Sequence, residues 1–318
     1  MSEPRSVTSP AAPKLRTKGS QEDLEDISES IQNLNVTISK NTRSSTSSPR
    51  NNNTTPKGKK NRKIDVKEPK VPPSSESGGT PVASLAYMTG AKGLVHRLEV
   101  PQHLLVIIDL NGTILFRPSR TNPHKFVARP HALRFLQYCI DTFHVVIWSS
   151  ARPENVNALT DAILPPSLKA RCIAIWGRDK FRLTASDYNR RVICYKRLDT
   201  IWKDPQIARS HPEFQYGAGW DQTNTVLVDD SLEKGQSEPY NLVQIPEYMG
   251  NAQERGDVLP QVHDYLNQLS LHSNVSAYMR TVPFQAQGQA AGPPVAVPMG
   301  MRQHTAELPG WVPAKRHR

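Results

Sequence analysis

The sequence predicts an α/β domain: a three-layer α/β/α sandwich with a central parallel sheet, flanked by two polar tails. Three observations predict it. Short, continuous apolar runs recur along residues 95–270. Between them lie stretches whose apolar residues are spaced three and four apart. Runs of the first kind are strands buried on both faces of a parallel sheet, and the second period belongs to crossover helices. The flanks, by contrast, are too polar to build a core.

Taken in order, residues 104–110 (LLVIIDL) read as the first buried strand. Residues 130–142 read as a helix, with Leu133, Leu136 and Ile140 on one face. Residues 144–148 (HVVIW) are the second strand, and residues 154–164 a helix carrying Val156, Leu159 and Ile163. Residues 172–176 (CIAIW) make the third strand, and a helix starts near Leu198. Residues 204–220 hold Pro, Gly and His with weak periodicity and read as a loop-rich insertion. Residues 225–229 (TVLVD) and 242–245 (LVQI) are the fourth and fifth strands. A helix over 257–269 closes the domain, with Pro260 in its first turn, where proline is tolerated.

Residues 1–80 contain no Phe, Trp or Tyr, and 41 of the 80 are Ser, Thr, Asn, Pro or Gly. Such a stretch cannot offset its ordering entropy, so a disordered basic arm is expected at 1–80 and a similar tail at 271–318. The chain has a formal charge of +11, but the arm carries +5 and the tail +4 of it. The excess therefore argues for tail partners or addressing rather than a nucleic-acid groove on the domain. Residues 57–63 (KGKKNRK) suit a nuclear localisation signal or an acidic-surface contact, or are a solvated charge run. Leu24, Ile27, Ile31, Leu34 and Ile38 would share one stripe of a helix. Residues 21–38 are thus a candidate segment for a partner protein. Ser9, Ser48, Thr55 and Thr80 each precede proline and fit proline-directed phosphorylation. No apolar run approaches the roughly 18 residues of a membrane span, and no secretory signal is expected. Cys139, Cys172 and Cys194 form no CxxC pair, which suits a reducing compartment.

The chemistry lies where the strands end, because ligands of open α/β sheets sit beyond the carboxyl ends of the strands. The first strand runs into Asp109-Leu110-Asn111-Gly112-Thr113, the second into Ser149-Ser150, and the fourth into Asp229-Asp230-Ser231. Clustered carboxylates repel unless a cation neutralises them, and an all-oxygen set favours Mg²⁺. Lys196 lies between the second and third of these motifs. A carboxylate nucleophile, a metal, a hydroxyl and a lysine are the parts of phosphoryl transfer through an aspartyl-phosphate. Each residue also has a plain structural reading. Asn111-Gly112 and Asp229-Asp230 suit turns, Ser149 and Ser150 suit a helix cap, and Lys196 suits a solvated face. Trp148 and Trp176 read as core, and His103, His124 and His131 have no trustworthy metal spacing.

Residues 104–270 resemble the haloacid dehalogenase (HAD) superfamily. Within it they resemble the RNA polymerase II C-terminal-domain phosphatase branch, also called NLI-interacting-factor-like. VIIDLNGT at 106–113 matches the first motif, VVIWSS at 145–150 the second, CYKRLDTIW at 194–202 the third and LVDDS at 227–231 the fourth. The stretch FVARPHALRFLQY at 126–138 resembles the branch's sequence around an Arg-Pro pair, here Arg129-Pro130. The resemblance implies a HAD-like phosphatase domain at 95–270 with a small β-hairpin flap over 114–127. It implies Asp109 as nucleophile and Thr113, Ser149 and Lys196 as phosphate-binding. It also implies Mg²⁺ held by Asp109, the backbone carbonyl of Asn111, Asp229 and Asp230. The substrate implied is a phosphoprotein or phosphopeptide modified on Ser or Thr.

One position departs from the family pattern DxDxT: Asn111 stands where the family has its acid/base aspartate. An amide cannot exchange that proton near neutral pH. General acid–base help is worth roughly 10²–10⁴-fold, or about 3–5 kcal/mol of barrier. Phosphate and metal binding should survive, and turnover should suffer. An aspartyl-phosphate on Asp109 would then lack the base that discharges it. Whether the chain is an enzyme stays open, with phosphoric monoester hydrolysis favoured. The alternatives are a catalytically impaired peptide-binding receptor, similar to the Tim presequence-translocase receptor of mitochondrial protein import, and a scaffold. The first reading places the protein in the nucleus or cytoplasm, the receptor reading at the mitochondrial inner membrane.

Overall fold

A computed structural model of the chain describes residues 70–119, 125–254 and 257–288. The segments at 21–38 and 57–63, the proline-directed sites at Ser9, Ser48 and Thr55, and His124 lie outside them.

The elements follow the order read from the sequence. After α1 (Leu85–Gly90) come β1 (Leu105–Ile108), β2 (Leu115–Phe116), β3 (Val127–Ala128), α2 (Ala132–Thr142) and β4 (His144–Trp148). Then follow α3 (Pro153–Ile163), α4 (Pro166–Lys169), β5 (Ala174–Trp176), α5 (Ala185–Asn189), α6 (Leu198–Trp202) and α7 (Pro205–Ala208). The chain closes with β6 (Thr225–Asp229), β7 (Leu242–Gln244), α8 (Val258–Ser270) and α9 (Val275–Thr281).

Five strands form one sheet in the order β5-β4-β1-β6-β7, with every neighbouring pair parallel. β1 lies at its centre, with Leu105 opposite His144 on one side and Thr225 on the other. Successive β1 side chains alternate between two cores. Val106 and Ile108 pack with Val145, Ile147, Val226 and Val228 under α2, α3 and α8. Leu105 and Ile107 pack with Val146, Trp148 and Leu227 against Leu198, Ile201 and Ile207 of α6 and α7. This alternation makes the central strand apolar throughout, as its sequence indicated.

Three expectations need correction. The arm does not reach residue 80: residues 70–94 belong to the packed body. Val71 bridges to Val192, and residues Ser75–Ser77 form a 3₁₀ turn. The Asp187 carboxylate accepts hydrogen bonds from Ser74 N, Ser74 Oγ and Ser77 Oγ at 2.7–2.8 Å. Arg197 donates to the carbonyls of Gly78 and Gly79, both at 2.7 Å. Tyr87 of α1 is buried and donates to Asn241 Oδ1 at 2.9 Å. The domain likewise does not stop at 270, because α9 buries Val275, Ala277 and Met279. Finally, the stretch read as loop contains α7 and a 3₁₀ turn at Phe214–Tyr216. The buried Trp220 pins it by donating to the Ile207 carbonyl at 3.1 Å. Proline, glycine and histidine hid these single turns, which are too short to show a period.

The flap is present as the antiparallel pair β2–β3, with Leu115 opposite Ala128 and Phe116 opposite Val127. Residues 120–124, between the two strands in sequence, lie outside the described residues.

Candidate active site

The carboxyl ends of β1, β4 and β6 converge because the three strands are adjacent and parallel. Asp109 leaves β1 at 2% exposure, and its backbone N–H donates to the Val228 carbonyl of β6 at 3.0 Å. The next turn needs Gly112, whose φ is +91°. A Cβ there would also lie 2.8 Å from Cγ of Asp230. Only glycine lets the loop after β1 close this tightly on the loop after β6.

Lys196 is fully buried. Its ammonium donates to Asp109 Oδ1 at 2.8 Å and to Asp229 Oδ2 at 2.5 Å. Lys234 reaches the same cluster: its Nζ lies 3.2 Å from Asp109 Oδ2, 2.9 Å from Asp229 Oδ1 and 3.3 Å from Asp230 Oδ1. The Lys196 backbone N–H donates to the Lys234 carbonyl at 2.7 Å, so the two cations are anchored to each other. Burial would push Asp229 up, but the Lys196 and Lys234 ammoniums reverse this and hold its carboxyl below the usual range. For Asp230 burial wins: with Asp109 and Asp229 adding like charge against Lys234, its carboxyl is pushed up to about 6. Burial also opposes the charge on Lys234, yet the three carboxylates outweigh it and raise that group well above its ordinary value.

Asp109, Asp230 and Lys234 face a cleft of about 350 Å³, lined also by Asn111, Ser149 and Lys70, while the fully buried Lys196 and Asp229 lie behind this lining. Asp109, Ser149 and Asp230 therefore line one cleft. Ser149 does not cap α3, whose N-cap is Arg152 and which has no side-chain cap. Lys196 is no solvated-face lysine. Thr113 is placed differently. It is fully buried, accepts from Asp230 N at 3.1 Å and donates to Asp230 Oδ1 at 3.3 Å. It joins the loops after β1 and β6 and does not line the cleft. Asn111 lines the cleft while its Oδ1 accepts from the Arg117 backbone N–H at 2.8 Å.

Residues 104–276 match the family model described as NLI interacting factor-like phosphatase. The chain belongs to that family. An uncharacterized FCP1 homology domain-containing protein of Schizosaccharomyces pombe is 33% identical over 216 residues, which cover 64% of this chain and 86% of that protein. Among solved structures, that of Fcp1, an essential RNA polymerase II CTD phosphatase, matches with a TM-score of 0.30 at 15% identity over 59% of this chain and 55% of its own. A fission yeast Fcp1 variant bound to beryllium fluoride matches with a TM-score of 0.27 at 14% identity, over 53% and 50%. The chain spans about half the length of these two solved chains.

In this family member, Arg129 of the Arg-Pro pair packs behind the loop after β1. It is buried, donates to the Thr113 carbonyl at 2.9 Å, and forks onto Glu254 at 2.7 and 2.8 Å. A third contact, to the Pro246 carbonyl at 2.9 Å, ties the loop after β1 to the loop after β7.

Sequence reasoning missed Lys234 and Lys70. Lys234 had a signal: it follows Asp230 by four residues, a spacing that faces one side of a helical turn. Lys70 had none, because it reaches the cleft only through the docking of residues 70–80.

The donor set fits a divalent ion in kind: Asp109, Asp229 and Asp230 offer carboxylate oxygens within 4.8 Å of one another. The arrangement does not. The two lysines contact five of the six carboxylate oxygens, all but Asp230 Oδ2, so an ion bridging the three carboxylates would displace an ammonium.

Proposed function

We propose that this family member is a phosphoprotein phosphatase that acts slowly on phosphorylated Ser or Thr side chains through Asp109. The observation that carries the reading is the placement of the Asp109 carboxylate. It lines the cleft together with Ser149 and Asp230, and it is oriented by Lys196 at 2.8 Å. In this reading an Asp109 oxygen attacks phosphorus and the substrate's alkoxide oxygen leaves. Ser149 holds a phosphoryl oxygen by donating its hydroxyl hydrogen. Lys196 balances the charge of the nucleophile and fixes its orientation. The leaving oxygen needs a proton, which the Asn111 amide cannot supply. The resulting aspartyl-phosphate also lacks a base to activate water.

Asn111 supports a second reading, a phosphopeptide receptor with little or no turnover. Its side-chain oxygen is committed to the Arg117 N–H and serves the flap turn. The proline-rich and basic tails would then carry partner and address signals, nuclear or cytoplasmic in the first reading.

Release of phosphate from an aryl phosphate, measured with and without Mg²⁺, tests the proposal. The enzyme reading expects measurable wild-type turnover, more in Asn111→Asp and none in Asp109→Asn. Absence of turnover in all three would end it and leave the receptor reading, in which Asp109→Asn retains phosphopeptide binding.

A further inference from the structure

The cation position of this cleft is filled by a side chain. The three carboxylates that Lys234 Nζ touches, at 2.9–3.3 Å, are those of the acidic cluster itself. A magnesium ion would approach such oxygens to about 2.0–2.1 Å. An ion at that distance and an ammonium centred near the same three atoms would overlap and repel. Among the described residues, only Asp230 Oδ2 of the six oxygens is without a lysine contact, and one oxygen is not a seat for an ion that bridges the three carboxylates. Asp109 Oδ1 and Asp229 Oδ2 are held by Lys196, and Asp229 Oδ1 also accepts from the Ser231 N–H at 2.9 Å.

Lys234 is also no surface side chain that has swung inward. It lies in the 3₁₀ turn Glu233–Gly235 and is 6% exposed. Its carbonyl accepts from Lys196 N. Removing such a buried charge would leave three carboxylates facing one ammonium.

We propose that the Lys234 ammonium is the built-in counter-cation of this cleft and stands in the place of the divalent ion, so that a phosphoryl group is received without Mg²⁺. The proposal deepens the phosphatase reading and rests on it for the nature of the ligand. It carries a cost in charge. Lysine brings one positive charge where the ion would bring two, so the cleft is one unit more negative than a metal-loaded one. A phosphoryl dianion is held less tightly there, which adds to the slow turnover already expected from Asn111.

The test is calorimetric titration of the full chain with magnesium chloride alone. Wild type is expected to show no saturable binding through the millimolar range. Lys234→Met is expected to gain one site per chain and a Mg²⁺-dependent rise in melting temperature, and adding Asp230→Asn should remove both. One Mg²⁺ per wild-type chain, lost in Asp230→Asn, would overturn the proposal. So would a folded Lys234→Met variant that binds no ion. If Lys234→Met fails to fold, the wild-type titration decides alone. Neither readout needs turnover, so failure of the phosphatase assay and failure of this proposal are separate results.

Discussion

Asn111 Oδ1 accepts the Arg117 backbone N–H at 2.8 Å, so the residue proposed to stand at the acid/base position also closes the first turn of the flap. An aspartate at 111 keeps an acceptor for that bond and adds a titratable carboxyl at the cleft. Asn111→Asp should therefore leave the fold intact and raise steady-state turnover of an aryl phosphate by about 10²-fold, the lower end of what general acid–base help supplies. Rapid-quench measurement should show a phosphorylated wild-type intermediate, which becomes fainter in the variant. Equal intermediate levels in the two proteins would count against the role given to position 111.

The Arg129–Glu254 pair is the next lever. Arg129 is buried and holds two backbone carbonyls in addition to Glu254. Arg129→Ala removes a buried guanidinium that holds two backbone carbonyls and the half-buried Glu254 carboxylate, and should cost about 3–5 kcal/mol. Urea denaturation would measure it. Glu254→Gln keeps a hydrogen-bond acceptor and should cost clearly less. If the two variants are equally stable, the arginine does not carry the load assigned to it.

Asp187 tests the docking of residues 70–80. Hydrogen bonds from Ser74 and Ser77 hold its carboxyl down at about 2. Asp187→Ala should remove amide-exchange protection from residues 74–79 while the strands of the central sheet keep theirs. Hydrogen exchange by mass spectrometry reads both at once, and unchanged protection at 74–79 would contradict the assignment.

His144 should make stability fall in mild acid. Burial, then the neighbouring His103 and His211, lower its imidazole to about 4 from the ordinary 6.5. Unfolding frees the ring to take up a proton wherever the pH lies between these values. The neutral ring's contribution is complete above about 6.5 and is lost as pH falls toward 4. His144→Phe should flatten the dependence of the urea midpoint between pH 7.5 and 5. An unchanged slope would show that other groups dominate.

The central sheet was legible because β1, β4 and β6 are apolar on both faces, and only a sandwiched parallel strand needs that. Their carboxyl ends were legible for the same reason: once the strands are parallel, Asp109, Ser149 and Asp229 must share an edge. The part played by Thr113 was not. The motif says that a hydroxyl is needed, but not that it points sideways into the neighbouring loop. Residues 70–80 were misread because they are held by polar bonds to Asp187 and Arg197, not by apolar burial. A composition argument sees only burial. Lys234 escaped because a lysine beside acidic residues is usually a solvated pair, and only the fold reveals that it is enclosed.

The family match begins at residue 104. Yet Ser74, Ser77 and the Gly78–Gly79 carbonyls are what satisfy Asp187 and Arg197 inside the matched region. Homology and autonomy therefore part company in this chain. A fragment cut at the family's limit would lose Lys70 from the lining of the cleft and strip two charged groups of hydrogen-bond partners that the longer chain supplies.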